Sequence, residues 1–210
     1  APRYEEGANM RVIAGEARGR PLLGPAGTFT RPMQDKIKES LFSMLLSLGV
    51  DADRVADIYA GTGSIGIEAI SRGATWCDFV EQNGAAAKVV QKNIERCHFE
   101  DRSQIHRTDA SSFIARPREP YDLIFLDPPY ADPEIPNVLR QLAASSLIQS
   151  GTIVAIGHSP RVEFPDDIGR LERLRLRCHG DSCFSIYEAD PPAAGAAEEG
   201  HEASNLPGEL

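Results

Sequence analysis

The sequence predicts an α/β fold built on a doubly wound, mostly parallel sheet, and three observations lead there. Short apolar runs alternate with helical patterns over residues 54–156. The segment GTGSIG, at residues 61–66, directly follows the first of these runs. Residues 121–126 and 152–156 are almost continuously apolar, as in strands buried on both faces.

The elements follow in order. Residues 10–23 (MRVIAGEARGRPLL) mix short apolar stretches with Gly and Arg and predict a β-hairpin or extended arm. Thr30-Arg31-Pro32 introduces a helix that places Ile37, Leu41, Met44, Leu45 and Leu48 on one face, and Gly49 stops it. A strand over 54–60 leads to a helix over 64–72, and a strand over 76–81 to a helix over 85–97 with Val89, Val90 and Ile94 inward. A short strand at 104–107 and a brief helix near 111–115 precede the 121–126 strand. A helix over 135–145 precedes the 152–156 strand. Residues 171–177 and 183–188 form a closing strand pair around His179-Gly180-Asp181, adding an antiparallel edge. Ligands of such sheets bind beyond the carboxyl ends of the strands, so the chemistry belongs just after Tyr59, Val80, Arg107 and Leu126.

The 210 residues carry a net charge of −9, which argues against a uniformly basic nucleic-acid binder. The charge is unevenly placed. Residues 10–40 hold Arg11, Arg18, Arg20, Arg31, Lys36 and Lys38 against Glu16, Asp35 and Glu39. Residues 189–210 hold Asp190, Glu198, Glu199, Glu202 and Glu209 and no Lys or Arg. That tail, rich in Ala, Gly, Pro and Glu, has too little apolar surface to offset ordering entropy and is expected to be disordered. The chain thus divides into an extension (1–9), an arm of hairpin and helix (10–50), a main domain (51–189) and an acidic tail (190–210). No apolar run is long enough for a membrane span, and residues 1–10 lack a signal-peptide core, so a cytoplasmic protein is expected. Cys77, Cys97, Cys178 and Cys183 form no Cys-x-x-Cys pair. They read as reduced core cysteines rather than metal ligands.

Gly61, Gly63 and Gly66 permit a tight turn and close approach of a ligand to a helix N-terminus. Glu81, at the end of the second strand of the alternation, is placed to accept ribose hydroxyls. These features suit a dinucleotide and S-adenosylmethionine alike. Asp57 shifts the balance, because a carboxylate in an apolar strand needs a partner. A cofactor with an amino group and a sulfonium gives it one, directly or by ordering the loop; capping loop amides alone is the plainer alternative. Asp109 stands where an adenine amine is read, or caps the next helix. Tyr59, Thr62, Gln82 and Ala110 complete the expected cofactor set.

Asp127-Pro128-Pro129-Tyr130 follows the apolar strand directly. Consecutive prolines fix the backbone and donate no hydrogen bonds, leaving the Asp127 carboxylate and the Pro128 carbonyl as fixed acceptors beside an aromatic ring. This suits an exocyclic amine on a flat heterocycle stacked on Tyr130. Such an amine is a poor nucleophile, because its lone pair is delocalised into the ring. Accepting its hydrogens frees that pair for attack on a methyl group.

At these residues the chain resembles the [Asp/Asn]-Pro-Pro-[Tyr/Phe/Trp] amino-methyltransferases. MRVIAGEARGRPL, TRPMQDKIKESLFSML, DIYAGTGSIGIEAISRGA, FVEQN, YDLIFLDPPY and HGDSCFSIYE together resemble the RsmD family over about residues 10–188. The resemblance implies a Rossmann-like class I methyltransferase fold. It implies a seven-stranded, mostly parallel sheet with an antiparallel last strand, preceded by an N-terminal hairpin and helix. It implies S-adenosylmethionine as cofactor and transfer to guanine N2 in bacterial 16S ribosomal RNA. The partner would be that RNA or an assembling 30S subunit, with Arg11, Arg18, Arg20, Arg31, Lys36 and Lys38 of the basic arm as candidates to hold its phosphates, the protein a monomer, and Arg31 and Pro32 part of the substrate side. Gly157-His158 departs from the family, where an acidic residue is expected before the His.

Other classes fit less well. A DNA adenine-N6 methyltransferase would use the same tetrapeptide but needs a target-recognition region, and the stretch between Tyr130 and Thr152 is consumed by one helix. An NAD-dependent oxidoreductase leaves Asp57 and the Asp-Pro-Pro-Tyr loop unused. A non-catalytic RNA-binding module would have no need of the intact set of Asp57, Glu81, Asp109, Asp127 and Tyr130.

Overall fold

A computed structural model of the chain describes residues 4–25, 31–129 and 132–191, with residues 4–9, 25 and 31–35 described by their backbone alone. The acidic tail beyond 191, Tyr130 and the side chain of Arg31 lie outside the described residues.

The hairpin strands are β1 (Tyr4–Arg11) and β2 (Pro21–Pro25), followed by helix α1 (Arg31–Ser47). The alternation then runs β3 (Arg54–Ile58), α2 (Ser64–Ser71), β4 (Trp76–Val80), α3 (Gly84–Cys97), β5 (Ser103–His106), α4 (Ala110–Ile114), β6 (Leu123–Leu126), α5 (Ile135–Ala143) and β7 (Ile153–His158). It closes with β8 (Asp167–Ile168), β9 (Leu171–His179) and β10 (Ser182–Ala189). The main sheet has the order β5-β4-β3-β6-β7-β10-β9-β8. β3 to β7 pair in parallel, and β10 runs antiparallel between β7 and β9. The expected seven strands are present, and the two-residue β8, folding back on β9, makes an eighth. The sequence-predicted extension is corrected at one point: β1 begins at Tyr4 and takes those residues into the hairpin.

Each face of the sheet carries an apolar layer. One joins Ile67, Ile70, Phe79, Phe125 and Ile186 to Val12, Leu22, Leu41 and Phe42 of the N-terminal elements. The other joins Ile58, Phe113, Tyr121, Leu126, Leu139 and Ile156. The hairpin and α1 therefore share the core of the main sheet.

Buried polar side chains hold that junction. Glu68 of α2 accepts the Ile13 and Ala14 amides at 2.8 and 3.0 Å. Ser71 Oγ accepts the Ala17 amide at 3.0 Å and donates to the Ala14 carbonyl at 2.6 Å. Asn93 of α3 accepts the Leu23 amide at 2.7 Å and donates to the carbonyls of Leu23 and Thr62 at 3.0 and 2.9 Å. Each satisfies backbone groups that burial would otherwise leave unpaired.

The expectation of four reduced cysteines is also corrected. Cys77 and Cys97 are free and buried, but Cys178 and Cys183 form a disulfide. The turn at Gly180-Asp181 sets the β9–β10 register so that these two residues face each other across the hairpin, 4.0 Å apart at Cα.

Candidate active site

The strand ends converge on a cleft of about 590 Å³ at the carboxyl edge of the sheet. Tyr59 and Gly61 reach it after β3, Glu81 and Gln82 after β4, Asp109 and Ala110 after β5, and Asp127, Pro128 and Pro129 after β6. Val80, Thr108 and Asp132 also line it and were not singled out from the sequence. Val80 and Thr108 directly precede residues that were, so the strand-end rule already pointed to them. Asp132 carried only the signal of a carboxylate close behind the Pro-Pro turn.

The loop after β3 is built from the backbone. Tyr59 has φ 66°, a conformation that costs energy for a bulky residue and turns the chain sharply out of the strand. Gly61 donates its amide to Glu81 Oε2 at 2.9 Å, and Asn83 donates to Oε1 at 2.7 Å, so Glu81 ties two loops together at the cleft wall. Gly66 has a different duty. A Cβ there would lie 2.4 Å from Phe79 Cε1, so its bare backbone lets α2 pack against β4. Thr62, Gly63 and Gly66, expected in the cofactor set, are not among the cleft-lining residues.

Asp57 is also absent from the cleft wall. It is buried and accepts the Gly66 amide at 2.9 Å, so it orders the loop from behind rather than facing the cleft directly. Burial pushes its carboxyl up to about 7 despite that bond, with Asp127 and Glu81 adding repulsion. Asp109 has two structural placements. It lines the cleft and caps α4, accepting the Ser112 amide at 2.8 Å and the Ser112 hydroxyl at 2.7 Å. These bonds hold its carboxyl below the usual range.

Asp127 faces the open cleft, but protein crowds the rest of its carboxylate and pushes its pKa up to about 6. Its amide donates to the Ile58 carbonyl at 3.3 Å, pinning the motif to β3. The Asp132 amide donates to the Pro129 carbonyl at 3.0 Å and closes the turn. Gly157, where the resemblance implies an acidic residue, lies against Asp127: a Cβ there would sit 2.5 Å from Asp127 Oδ1.

The cleft's character tests the cofactor. Its walls carry Glu81, Asp109, Asp127 and Asp132, with no Lys or Arg among the described lining residues. That donor set suits a ligand bearing ammonium and sulfonium charges and is hostile to a pyrophosphate. S-adenosylmethionine therefore fits these residues.

The basic residues of the N-terminal elements divide. Arg18 and Lys36 are exposed. Arg20 donates to the Arg96 carbonyl, and Arg11 is half-buried in β1. Lys38, expected on the RNA-binding surface, is corrected. It is buried, donates to the Arg11 carbonyl at 2.7 Å and pairs with Glu68 at 3.3 Å, because its position on α1 faces the core.

A doubly wound sheet with β10 inserted antiparallel, and a carboxylate-lined cleft at its strand ends, define a Rossmann-like methyltransferase fold. Solved structures agree. A methyltransferase fold from Escherichia coli, yhhF, superposes with a TM-score of 0.75 at 24% identity, covering 86% of this chain and 98% of that one. The methylase HI0767 of Haemophilus influenzae gives 0.71 at 24%, covering 88% and 99%. The family model described as "Conserved hypothetical protein 95" matches residues 10–188, and the chain belongs to that family, the RsmD family. Among its relatives is YlbH of Bacillus subtilis, named for rRNA methylation, 35% identical over 182 residues (85% of this chain, 98% of the relative). Ribosomal RNA small subunit methyltransferase D of Escherichia coli K12 is 25% identical over 189 residues (90% and 94%).

Proposed function

We propose that this protein transfers a methyl group from S-adenosylmethionine to the exocyclic N2 amine of a guanine in small-subunit (16S) ribosomal RNA. The observation that carries the reading is Asp127, a crowded carboxylate fixed by two prolines at the wall of a cation-favouring cleft. The names of relatives that span nearly the whole chain supply the RNA class.

When bound, the cofactor supplies an electrophilic methyl group on a sulfonium. The chain's own residues do the rest. Asp127 accepts a hydrogen of the target amine, which draws the nitrogen lone pair out of the ring and orients it. The Pro128 carbonyl is held rigidly as a second acceptor. Asp127 can also take the proton released when the amine is alkylated. Tyr130, outside the described residues, is assigned the stacking surface for the base. Arg18 and Lys36 supply exposed charge for RNA phosphates. We assign the protein to the cytoplasm as a monomer acting on free RNA or an assembling 30S subunit; no described helix is long and apolar enough to cross a membrane.

The test is transfer of labelled methyl groups to small ribosomal subunits, free ribosomal RNA and DNA, followed by nucleoside identification. N2-methylguanosine from the ribosomal substrates is expected. N6-methyladenine in DNA would replace this reading with that of a DNA amino-methyltransferase.

A further inference from the structure

A second cavity, of about 140 Å³, lies across the Pro128-Pro129 turn from the large cleft. Pro128, Pro129 and Asp132 wall both spaces, so the two are neighbours at the catalytic turn. The small cavity is largely apolar, with Pro133, Pro136, Val162 and Phe164 in its wall. Phe164 is buried and meets His158 edge-on at 5.1 Å between ring centroids, and His158 is held by Ser185 at 2.9 Å. That wall is therefore braced from behind. Gly157 also lines the cavity, and its contact with Asp127 brings the catalytic carboxylate to the cavity's edge.

Two further carboxylates line this space. Asp132 has one oxygen committed to the Glu134 amide at 2.9 Å. Glu163 makes no hydrogen bond or ion pair with any described residue, so both its oxygens are available.

We propose that this cavity receives the target base and that Glu163 is the group that selects guanine, an assignment that rests on the amino-methyltransferase reading above. Guanine presents neighbouring donors here, the N2 amine and the adjacent N1–H, with the O6 acceptor beyond them. With Asp127 and the Pro128 carbonyl accepting the two amine hydrogens, N1–H is left pointing toward a further acceptor. A Glu163 oxygen supplies it. Adenine and cytosine place a ring-nitrogen lone pair beside their amine. Against Glu163 that lone pair would face a carboxylate oxygen, unpaired and repelled.

The experiment uses the full chain, labelled S-adenosylmethionine and small ribosomal subunits, with products digested to nucleosides. In Glu163→Gln one acceptor becomes a donor. Guanine methylation is expected to fall about 10- to 100-fold in kcat/KM. S-adenosylmethionine affinity, measured by calorimetry, should be unchanged, which separates base reading from damage to the fold. The ratio of N6-methyladenosine to N2-methylguanosine should rise, because the amide N–H can donate to the adenine N1 lone pair that the carboxylate repels. If the variant methylates guanine at the wild-type rate with an unchanged nucleoside ratio, Glu163 is not the selecting group and the parent reading stands. If the wild-type protein forms no N2-methylguanosine, both fall together.

Discussion

Lys38 and Glu68 form an ion pair of 3.3 Å with both side chains buried, joining α1 to the helix that follows the glycine loop. Glu68 also accepts the Ile13 and Ala14 amides and the Arg72 Nε–H at 2.8 Å, so it collects donors from three segments. Removing it takes the acceptor from the Ile13 and Ala14 amides and the carboxylate partner from the buried Lys38 cation together. Glu68→Ala is expected to cost about 3–5 kcal/mol of stability. Lys38→Met should cost less, because Glu68 keeps Arg72 and its two amides. Urea unfolding of the two variants checks the order, and equal losses would contradict it.

The division of the basic residues makes a separate prediction about RNA. Arg18 and Lys36 are exposed, whereas Lys38 is spent inside the protein. Arg18→Ala and Lys36→Ala should each weaken binding and reduce the salt slope, d log K/d log[salt], by somewhat under one. Lys38→Met should leave the slope unchanged wherever the protein remains folded. Filter binding to ribosomal RNA over a salt series measures it, and a flat response in the first two variants would move the contact surface elsewhere.

The misreading of Lys38 shows what a sequence hides. Positions 38, 41, 45 and 48 share one helical face, so the core-facing stripe of α1 already pointed to Lys38. Charge alone suggested solvent. The partner that makes its burial tolerable, Glu68, lies 30 residues away and has no local signature. The loop after β3 and the Pro-Pro turn were legible because their geometry is local: glycines and prolines dictate backbone shape where they stand. Gly66 was legible as a required glycine but not for its reason, since contact with Phe79 is set by packing between elements. The Cys178–Cys183 bridge depended on hairpin register, and Glu163 enters its cavity from a loop after β7 that carries no motif.

Asp127 sets a pH dependence. Its carboxyl is raised to about 6, and only the ionised form is free both to accept a hydrogen of the amine and to take up its proton. Thus kcat/KM should climb with pH and level off above about 6, with a tenfold loss per unit well below it. Asp127→Ala should lose activity by about 100-fold or more while still binding S-adenosylmethionine. Asp127→Asn keeps one acceptor oxygen without a titrating proton, so its residual activity should lack this acidic limb. A limb that persists in the asparagine variant would belong to another group.

Asp57 makes the opposite kind of statement, about stability. Its folded-state carboxyl is raised to about 7 from 3.8. The folded state therefore holds a proton that the unfolded chain has already released, and stability falls as pH rises through that window, then levels. Asp57→Asn keeps an acceptor for the Gly66 amide and has no charge to bury. Compared with wild type, it should gain stability on the order of a few kcal/mol between pH 4 and pH 8. Thermal melts at both pH values measure the difference, and a pH-independent gap would assign the effect to something other than ionisation.

Gly157 is the next-to-last residue of β7, with Phe184 opposite and Asp127 beside it. A Cβ there would meet Asp127 Oδ1 at 2.5 Å and Phe184 Cε1 at 3.3 Å. Both are side-chain atoms, and an extended backbone accepts alanine readily, so Gly157→Ala should fold with a melting temperature close to wild type. The space has to come from the Asp127 carboxylate, which is the end that can turn. The Pro128-Pro129 backbone cannot follow it, so the carboxylate rotates away from the position its motif holds. Displacements on the scale of 1 Å cost up to about 100-fold in rate when they separate a positioned group from its target. The expected signature is a fall in kcat with S-adenosylmethionine affinity preserved, because Gly157 is not among the residues lining the large cleft. Full activity in the alanine variant would mean that Asp127 works from a different rotamer, and the tight packing of β7 against the motif would then have no part in methyl transfer.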